Sequence, residues 1–382
     1  MEATKACSAT DYKPGLEGVI AGISSVSVID TERDTLLYRG YDVRELSEHC
    51  VYEEVAYLLL YGELPTADQL AGFQQKIGSQ RSLEQPIIDA MVSLPKGVNY
   101  MDALRTGVSL LGHWDTQAQQ LDHDANVEKA IRLIAKIPTL ITTVYRAQQG
   151  LPPTQPDPSL GHSANFFYML NGQKPDALTV KTFDISMVLY AEHGYNASTF
   201  SAIVTCSSLS DMHSAITAAV ATLKGSLHGG ANEKAMVMLK EIGSADKAEA
   251  WVMDALAQKK KIMGFGHRVY KHGDTRAPIL KELGRQLSEQ KGDSTWHDLA
   301  DVVEQVMMRE KGLHTNVDFP AAYVYYMMGL PIDLYTPLFA ASRVAGWAAH
   351  VIEQLDNNRL MRPKSGYNGP AYKPLKPLAE RG

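Results

Sequence analysis

Apolar residues recur along most of the chain with the spacing of amphipathic helices. The run at 53–60 stops at Gly62, and Thr66 followed by Gln69 forms a capping box that opens another helix. Further helical runs lie at 127–148, 179–192, 211–224, 231–242, 246–260, 277–290, 297–311, 320–329 and 336–356. Alternation typical of strands is scarce, and its best example, 24–29 with 35–38, predicts one small hairpin. The pattern predicts an all-α protein.

Two proline-rich segments interrupt this helical pattern. The segment 148–163 contains four prolines and is predicted to be a loop between helices. The tail 362–382 also contains four prolines and has little apolar periodicity. Because such a tail cannot form its own core, we expect it either to be disordered or to lie as an arm on another surface.

Composition narrows the class of protein. A chain of 382 residues can form a large core and two lobes, and its 45% hydrophobic and 21% charged residues are ordinary for a globular protein. The net charge of -6 gives no reason to expect nucleic acid as a partner. Three widely spaced cysteines without metal-ligand spacing indicate free thiols in a reducing compartment. The apolar tract 321–352 is broken by proline and charge, which argues against a membrane span, so we predict a cytoplasmic protein.

The densest polar chemistry lies in 264–276, where Gly264 and Gly266 precede His267 and several cations follow. Glycines allow close approach of the backbone to a ligand, and a histidine there can exchange a proton with an anionic substrate. A solvated basic turn explains the segment equally well. The segment is not a dinucleotide fingerprint, because Val269 occupies the third glycine position and no β-type run precedes it.

Two other histidines lie beside glycines. His193 follows a predicted helix and precedes Gly194, which also fits a simple C-terminal cap. His228 precedes Gly229 and Gly230 at the start of a helix, where the positive end of the helix dipole disfavours a charged imidazole. A neutral histidine can donate a hydrogen bond to a carbonyl oxygen that is becoming an enolate, although a plain helix-entry turn is the alternative.

A carboxylate and two arginines complete the candidate residues. Asp318 lies between Val317 and Phe319, and burial among them would raise its pKa and make it a useful general base. The alternative is an N-cap, since a proline follows two residues later. Arg343 is alone in an apolar helix and needs an anion or a buried partner, while Arg362 opens the tail. Arginines that can each grip a carboxylate fit a dicarboxylate substrate.

Taken in chain order, these segments resemble the citrate synthase family over nearly the whole chain, in the shorter form found in bacteria and archaea. The matching segments are 14–19, 38–41, 191–193, 227–233, 264–276, 316–318, 342–343 and 362–365. One departure is Thr275, where the family usually has proline or serine between the aspartate and the arginine.

The resemblance implies a mostly helical homodimer with two domains in each subunit. Residues 1–229 and 330–382 would form the large domain, which carries the dimer interface and the oxaloacetate site. Residues 230–329 would form a smaller, mobile domain that binds coenzyme A and closes over the substrate. Closure would exclude water from the reactive intermediate.

The resemblance also implies a role for each site residue. Asp318 would remove a methyl proton from acetyl-CoA, His228 would donate a hydrogen bond to the thioester oxygen, and His267 would protonate the keto oxygen of oxaloacetate. Oxaloacetate would be held by His193, Arg276, Arg343 and, from the partner subunit, Arg362. Lys271 would contact coenzyme A with help from Lys261, although the run 259–261 also fits a solvated face. No metal and no permanently bound cofactor are expected, because acetyl-CoA is a co-substrate.

The implied function is that of citrate synthase, an acyltransferase of the tricarboxylic acid cycle. The alternative within the family is 2-methylcitrate synthase, which uses propionyl-CoA. Arg268 after His267 resembles citrate synthases, whereas many 2-methylcitrate synthases resemble Gly-Phe-Gly-His-Pro at this point. Outside the family, the alternatives are a helical scaffold without catalysis and a zinc hydrolase. The ligands of the zinc would come from His193, His213, His228, His267 and Glu192, but the sequence lacks the H-E-x-x-H spacing.

Overall fold

The computed structural model of the chain describes residues 12–266, 270 and 273–381, so the predicted site residues His267 and Lys271 lie outside the described residues. Sixteen α-helices and one small sheet make up the regular structure of this part, which confirms the predicted all-α class. The chain forms two compact units. One is Ser24–Arg359, and the other consists of the described residues of Met1–Ile23 and Leu360–Gly382.

All sixteen helices belong to the larger unit. They are α1 (Val43–His49), α2 (Tyr52–Tyr61), α3 (Ala67–Ser79), α4 (Gln85–Val92), α5 (Tyr100–Trp114), α6 (His123–Gln148), α7 (His162–Asn171), α8 (Ala177–Tyr190), α9 (Ala197–Ser207), α10 (Met212–Leu223), α11 (Ala231–Ile242), α12 (Ala245–Ala257), α13 (Ala277–Lys291), α14 (Thr295–Lys311), α15 (Asp318–Met327) and α16 (Tyr335–Asp356). None of the described helices is long and apolar enough to cross a membrane.

Polar side chains fix where many of these helices begin. The predicted capping box of α3 is present: Gln69 N–H donates to Thr66 Oγ1 at 3.3 Å, and Gln69 Oε1 accepts from Thr66 N–H at 2.8 Å. Six other helices of the described part start with an aspartate or asparagine whose side chain accepts a backbone N–H of the first turn, namely Asp42, Asn99, Asp122, Asp176, Asn196 and Asp211. Such caps satisfy N–H groups that have no partner inside the helix.

The strands form a three-stranded antiparallel sheet. β1 (Ser27–Asp30) pairs with β2 (Thr35–Tyr38), as the sequence predicted, and β2 pairs with β3 (Tyr41–Asp42), which it did not. The sheet packs on the turn after α8, where Ser27 Oγ donates to Glu192 Oε1 at 2.9 Å and Tyr38 Oη donates to the Glu192 carbonyl at 2.9 Å. These contacts fix the segment that leads to His193.

The helix α16 lies at the centre of the larger unit. It packs against α2, α6, α8, α9 and α10, and residues along most of its length are buried. The helices α11 to α15 pack mainly on one another, while α13 also contacts α8 and α11 also contacts α16. The ends of α8, α11, α15 and α16 carry the candidate site described below. The division into domains at 229/230 and 329/330 stays a prediction.

The smaller unit consists of two irregular stretches, 12–23 and 360–381. Its only regular pieces among the described residues are single 3₁₀ turns at Pro14–Leu16 and Leu378–Glu380. Arg362 belongs to this unit and is exposed. The low apolar periodicity of the tail explains why it forms no helix longer than one turn.

Candidate active site

Arg343 is a buried cation in the middle of α16, with only 2% of its surface exposed. Its Nε donates to the Tyr190 carbonyl at 2.6 Å, and its guanidinium lies 4.5 Å from the centre of the Phe339 ring. Burial lowers the pKa of Arg343. No carboxylate of the described residues forms an ion pair with it. The sequence predicted an anion or a buried partner for this arginine, and the Tyr190 carbonyl and the Phe339 ring are buried neighbours of it. An anion that balances its charge stays a prediction, because an unpaired buried charge is costly.

Arg276 differs from Arg343 because it has an anionic partner. Its Nε and Nη2 donate to the two carboxylate oxygens of Asp274 at 2.9 and 2.8 Å, and its Nη1 donates to the Leu189 carbonyl at 3.2 Å. Burial opposes both charges, but each partner stabilises the other, so the pKa of Arg276 is raised and that of Asp274 is lowered. Asp274 Oδ2 also accepts Val317 N–H at 3.0 Å, which ties the start of α13 to the start of α15.

Asp318 is the first residue of α15 and is partly exposed. The alternative that it caps this helix is wrong, because Val317 already has helical dihedral angles and Asn316 Oδ1 accepts the Asp318 N–H at 3.1 Å. Tyr190 Oη donates to Asp318 Oδ1 at 2.8 Å. Burial raises the pKa of Asp318, and the Tyr190 hydrogen bond opposes this rise only in part. The raised pKa was predicted from the apolar neighbours and is confirmed.

His228 precedes α11 in a tight turn. A Cβ on Gly229 would lie 2.0 Å from the Leu223 carbonyl oxygen, so only glycine fits beside this histidine. Burial, with a smaller contribution from Arg343, lowers the pKa of His228 to about 4. The imidazole is therefore neutral at pH 7, as predicted, although burial contributes more to this than the sequence argument assumed.

The tautomer of His228 follows from its contact with the first turn of α9. Ser198 N–H donates to His228 Nε2 at 3.2 Å, and Ser198 Oγ lies 2.8 Å from the same nitrogen. Ser198 Oγ in turn accepts from Trp347 Nε1 at 3.1 Å. Because a backbone N–H can only donate, Nε2 of the neutral ring is the acceptor and the proton is on Nδ1.

His228 and Asp318 line one small cavity. Its other lining residues come from the turn before α11, the start of that helix and the start of α16: Gly229, Gly230, Ala231, Asn232, Thr336 and Phe339. A neutral imidazole and a carboxyl group with a raised pKa thus meet, although ninety residues of sequence separate them. This is the arrangement expected of a base and an oxyanion-stabilising donor that act on one substrate.

The remaining predicted residues have different surroundings. His193 is partly exposed, and its Nε2 lies 3.3 Å from Tyr270 Oη. Lys261 is exposed and does not line the cavity of His228 and Asp318. Arg362 belongs to the smaller unit. The structure therefore brings His228 and Asp318 into one cavity and puts Tyr190 in contact with both Asp318 and Arg343.

The residues proposed for a zinc site do not form one in the described part of the chain. No three His, Cys, Asp or Glu side chains of that part are close enough to hold a metal ion. His213 lies elsewhere, where its Nε2 is 3.4 Å from Asp115 Oδ2.

Three supporting residues were not predicted. They are Tyr190, Ser198 and Asp274, which contact Asp318, His228 and Arg276 respectively. Their partners are distant in sequence: Tyr190 is separated from Asp318 by 128 positions and Ser198 from His228 by 30. The only signal in the sequence for Asp274 is its position two residues before Arg276, which suits a local ion pair.

Several named proteins are similar to this chain in sequence. The chain matches the family model described as "Citrate synthase, C-terminal domain" over residues 15–364. It is 47% identical to "Citrate synthase 2" of Bacillus subtilis, over 96% of this chain and 98% of that protein. It is 46% identical to the citrate synthase of Haloferax volcanii, over 97% of this chain and 99% of that protein. It is also 43% identical to a 2-methylcitrate synthase of Mycobacterium tuberculosis, over 94% of this chain and 91% of that protein.

Solved structures share the fold. Citrate synthase from Pyrobaculum aerophilum superposes with a TM-score of 0.91 at 40% identity, covering 96% of this chain and 95% of that one. The citrate synthase of Thermoplasma acidophilum, solved as a ternary complex with carboxymethyl coenzyme A and oxaloacetate, gives a TM-score of 0.90 at 34% identity, covering 96% of this chain and 99% of that one. The predicted family, fold and class of enzyme are confirmed, and the chain belongs to the citrate synthase family.

Proposed function

We propose that the protein condenses acetyl-CoA with oxaloacetate and water to give citrate and coenzyme A. The observation that carries the proposal is the shared cavity of His228 and Asp318, in which burial keeps the imidazole neutral and raises the pKa of the carboxyl group. A weak carbon acid needs both a base and simultaneous support for the developing oxyanion, and this pair offers both.

Asp318 is the proposed base that removes a methyl proton from acetyl-CoA. Tyr190 occupies its Oδ1, and no side chain or backbone group of the described residues hydrogen-bonds to Oδ2, so this oxygen is available to receive the proton. A raised pKa brings the strength of the base closer to that needed at neutral pH. The Tyr190 hydrogen bond also fixes the orientation of this carboxylate, which lines the cavity.

His228 is the proposed donor to the thioester oxygen. Its Nε2 accepts from Ser198, so the Nδ1 proton is the one it can offer to an enol or enolate oxygen. A neutral imidazole does not give its proton away completely, which suits a group that stabilises the enolate by hydrogen bonding. Carbon–carbon bond formation and hydrolysis of citryl-CoA would follow at the same site.

Oxaloacetate is the proposed dianionic substrate. Arg343 supports this, because it is a buried guanidinium without an ion pair among the described residues. By resemblance, His193 and Arg276 would also hold oxaloacetate, and Arg362 would reach it from the partner in a homodimer. His267 would protonate the keto oxygen, and Lys271 with Lys261 would contact coenzyme A, without any metal or bound cofactor. A cytoplasmic protein acting in the tricarboxylic acid cycle is part of the same proposal.

The second candidate function is 2-methylcitrate synthesis from propionyl-CoA, because a relative named 2-methylcitrate synthase is 43% identical. One extra methylene changes the discrimination between substrates by only about 1–3 kcal/mol, so the same residues can serve both reactions. The test measures kcat/KM for acetyl-CoA and for propionyl-CoA with oxaloacetate, and release of the coenzyme A thiol is the signal. The proposal predicts the larger value for acetyl-CoA. A larger value for propionyl-CoA would support the second function, and no thiol release with either would refute both.

A further inference from the structure

Glu192 is a second buried charge beside the candidate site. Its side chain is completely buried, and its Oε1 accepts hydrogen bonds from Ser27 Oγ at 2.9 Å, from His350 Nε2 at 3.0 Å and from Gly194 N–H. Its Oε2 has no hydrogen-bond partner among the described residues. A buried carboxylate that lacks such a partner is expensive, so its charge has to be balanced by a neighbouring cation.

Two cations face Glu192 from α16. Arg343, Gly346 and His350 are spaced by three and four residues and therefore lie on one face of this helix. A Cβ on Gly346 would lie 2.1 Å from Glu192 Oε2, so the carboxylate packs directly on this glycine, between the arginine and the histidine. The carboxylate could be balanced by either of its two neighbours.

The contacts show that His350 is the partner. Its side chain is completely buried, with Nε2 bonded to Glu192 and Nδ1 lying 3.3 Å from Ser24 Oγ and 3.7 Å from Glu353 Oε2. Both ring nitrogens thus face oxygen atoms, as an imidazolium requires. Burial opposes its charge, but Glu192 and then Glu353 raise the pKa of His350 to about 9. Arg343, in contrast, forms no ion pair with Glu192.

We propose that His350 is a positioning residue for substrate binding, which neutralises Glu192 and thereby leaves the guanidinium of Arg343 to bind a carboxylate of oxaloacetate. This inference rests on the proposed function, since it takes oxaloacetate as the anion. Without the imidazolium, Glu192 would be the nearest anion available to Arg343, and substrate would have to compete with it. His350 touches neither Asp318 nor His228, so its effect falls on binding of oxaloacetate and not on proton transfer.

The central test measures oxaloacetate binding by calorimetry in the full-length protein. His350→Gln keeps one hydrogen-bond donor but removes the charge, and we expect it to weaken binding roughly tenfold while kcat changes little. Glu192→Gln in the same chain removes the anion as well, so the double variant should bind within about threefold of wild type. His162→Gln, a change at a buried histidine far from these contacts in sequence, is the matched control and should bind normally.

Each outcome separates a positioning role from simple packing. If His350→Gln binds as tightly as wild type, or if the double variant is as weak as His350→Gln, the inference is wrong. If wild type itself does not bind oxaloacetate, the proposed function fails instead. A rescued double variant is an outcome that loss of packing alone does not produce, because a second substitution in a damaged core adds to the damage.

The pH dependence of oxaloacetate binding gives an independent readout. The groups that face His350 are Glu192 and Glu353, the Tyr195 ring 5.3 Å away and, beyond the carboxylates, Arg39. Because His350 is the member of this group with a pKa raised to about 9, wild-type affinity should fall as pH rises through that value. His350→Gln should lack this fall. An affinity of wild type that stays constant up to pH 10 would overturn the inference.

Discussion

Tyr190→Phe tests how the environment of Asp318 sets its strength as a base. The substitution removes one hydroxyl, whose Oη donates to Asp318 Oδ1 at 2.8 Å, and keeps the buried ring. This hydrogen bond favours the ionised carboxylate and so lowers its pKa against the effect of burial. Without it the pKa of Asp318 rises further, and the base is protonated over a wider range of pH.

The size of the effect follows from the kind of hydrogen bond. A bond to a charged group contributes about 1.5–3 kcal/mol, and about 1.4 kcal/mol corresponds to one pH unit. Because Asp318 is partly exposed, water replaces some of the lost interaction. We therefore expect the effect to lie at the low end of this energy range, so that the pKa of Asp318 rises by about one unit. The acid limb of the pH profile of kcat/KM should therefore move upward by about one unit, with activity retained on its plateau.

The assay is thiol release from acetyl-CoA with oxaloacetate between pH 5 and pH 9, in wild type and Tyr190→Phe. Tyr335→Phe is the matched control, because the Tyr335 hydroxyl is buried without a hydrogen-bond partner among the described residues. Its acid limb should not move. An unmoved or lowered limb in Tyr190→Phe would refute the reasoning that this hydroxyl tunes Asp318.

Two further predictions concern stability, measured by urea unfolding. Gly229→Ala should destabilise the fold by about 1–3 kcal/mol, because the added Cβ would lie 2.0 Å from a backbone oxygen. Gly72→Ala is the control and should not destabilise the fold, because the space around Gly72 is open. Equal effects of the two substitutions would contradict this prediction. Asp274→Asn should cost about 3–5 kcal/mol, since it leaves the buried Arg276 without its anion. Because the pKa of Asp274 is lowered in the folded protein, its contribution to the free energy of unfolding should be fully present above the pKa of an unfolded aspartate. This contribution should be lost as the pH falls through the pKa of Asp274 in the folded protein. If Asp274→Asn lowers the free energy of unfolding by less than about 1 kcal/mol, the stabilising role assigned to the Asp274–Arg276 ion pair is contradicted.

The sequence predicted the long helices well, because periodicity and end signals agree there. The run at 231–242 coincides with α11, and that at 336–356 differs from α16 by one residue. Five helices were missed: α1, α4, α5, α7 and α9. The shortest of them, α1 and α4, offer too few turns for a period to emerge, whereas α5 has 15 residues and is an exception among the long helices. The strand β3 was missed because it has two residues and exists only through pairing with β2.

The candidate site was predictable in its residues but not in its supports. His228 and Arg343 stand out because glycines or apolar residues surround them in the sequence. Ser198 does not stand out, since its hydrogen bond to His228 depends on how α9 packs beside the turn before α11. The same holds for Glu192 and His350, whose pairing is created by the fold alone. Long-range contacts of this kind leave no local pattern to read.

The most direct test of the central claim is Asp318→Asn, which keeps the shape of the side chain and removes its basicity. Oxaloacetate binding by calorimetry and thiol release from acetyl-CoA are measured on the same preparation. If Asp318 is the base, oxaloacetate still binds while condensation is lost by at least about a thousandfold. Turnover near the wild-type rate would contradict the assignment of Asp318 and the mechanism built on it.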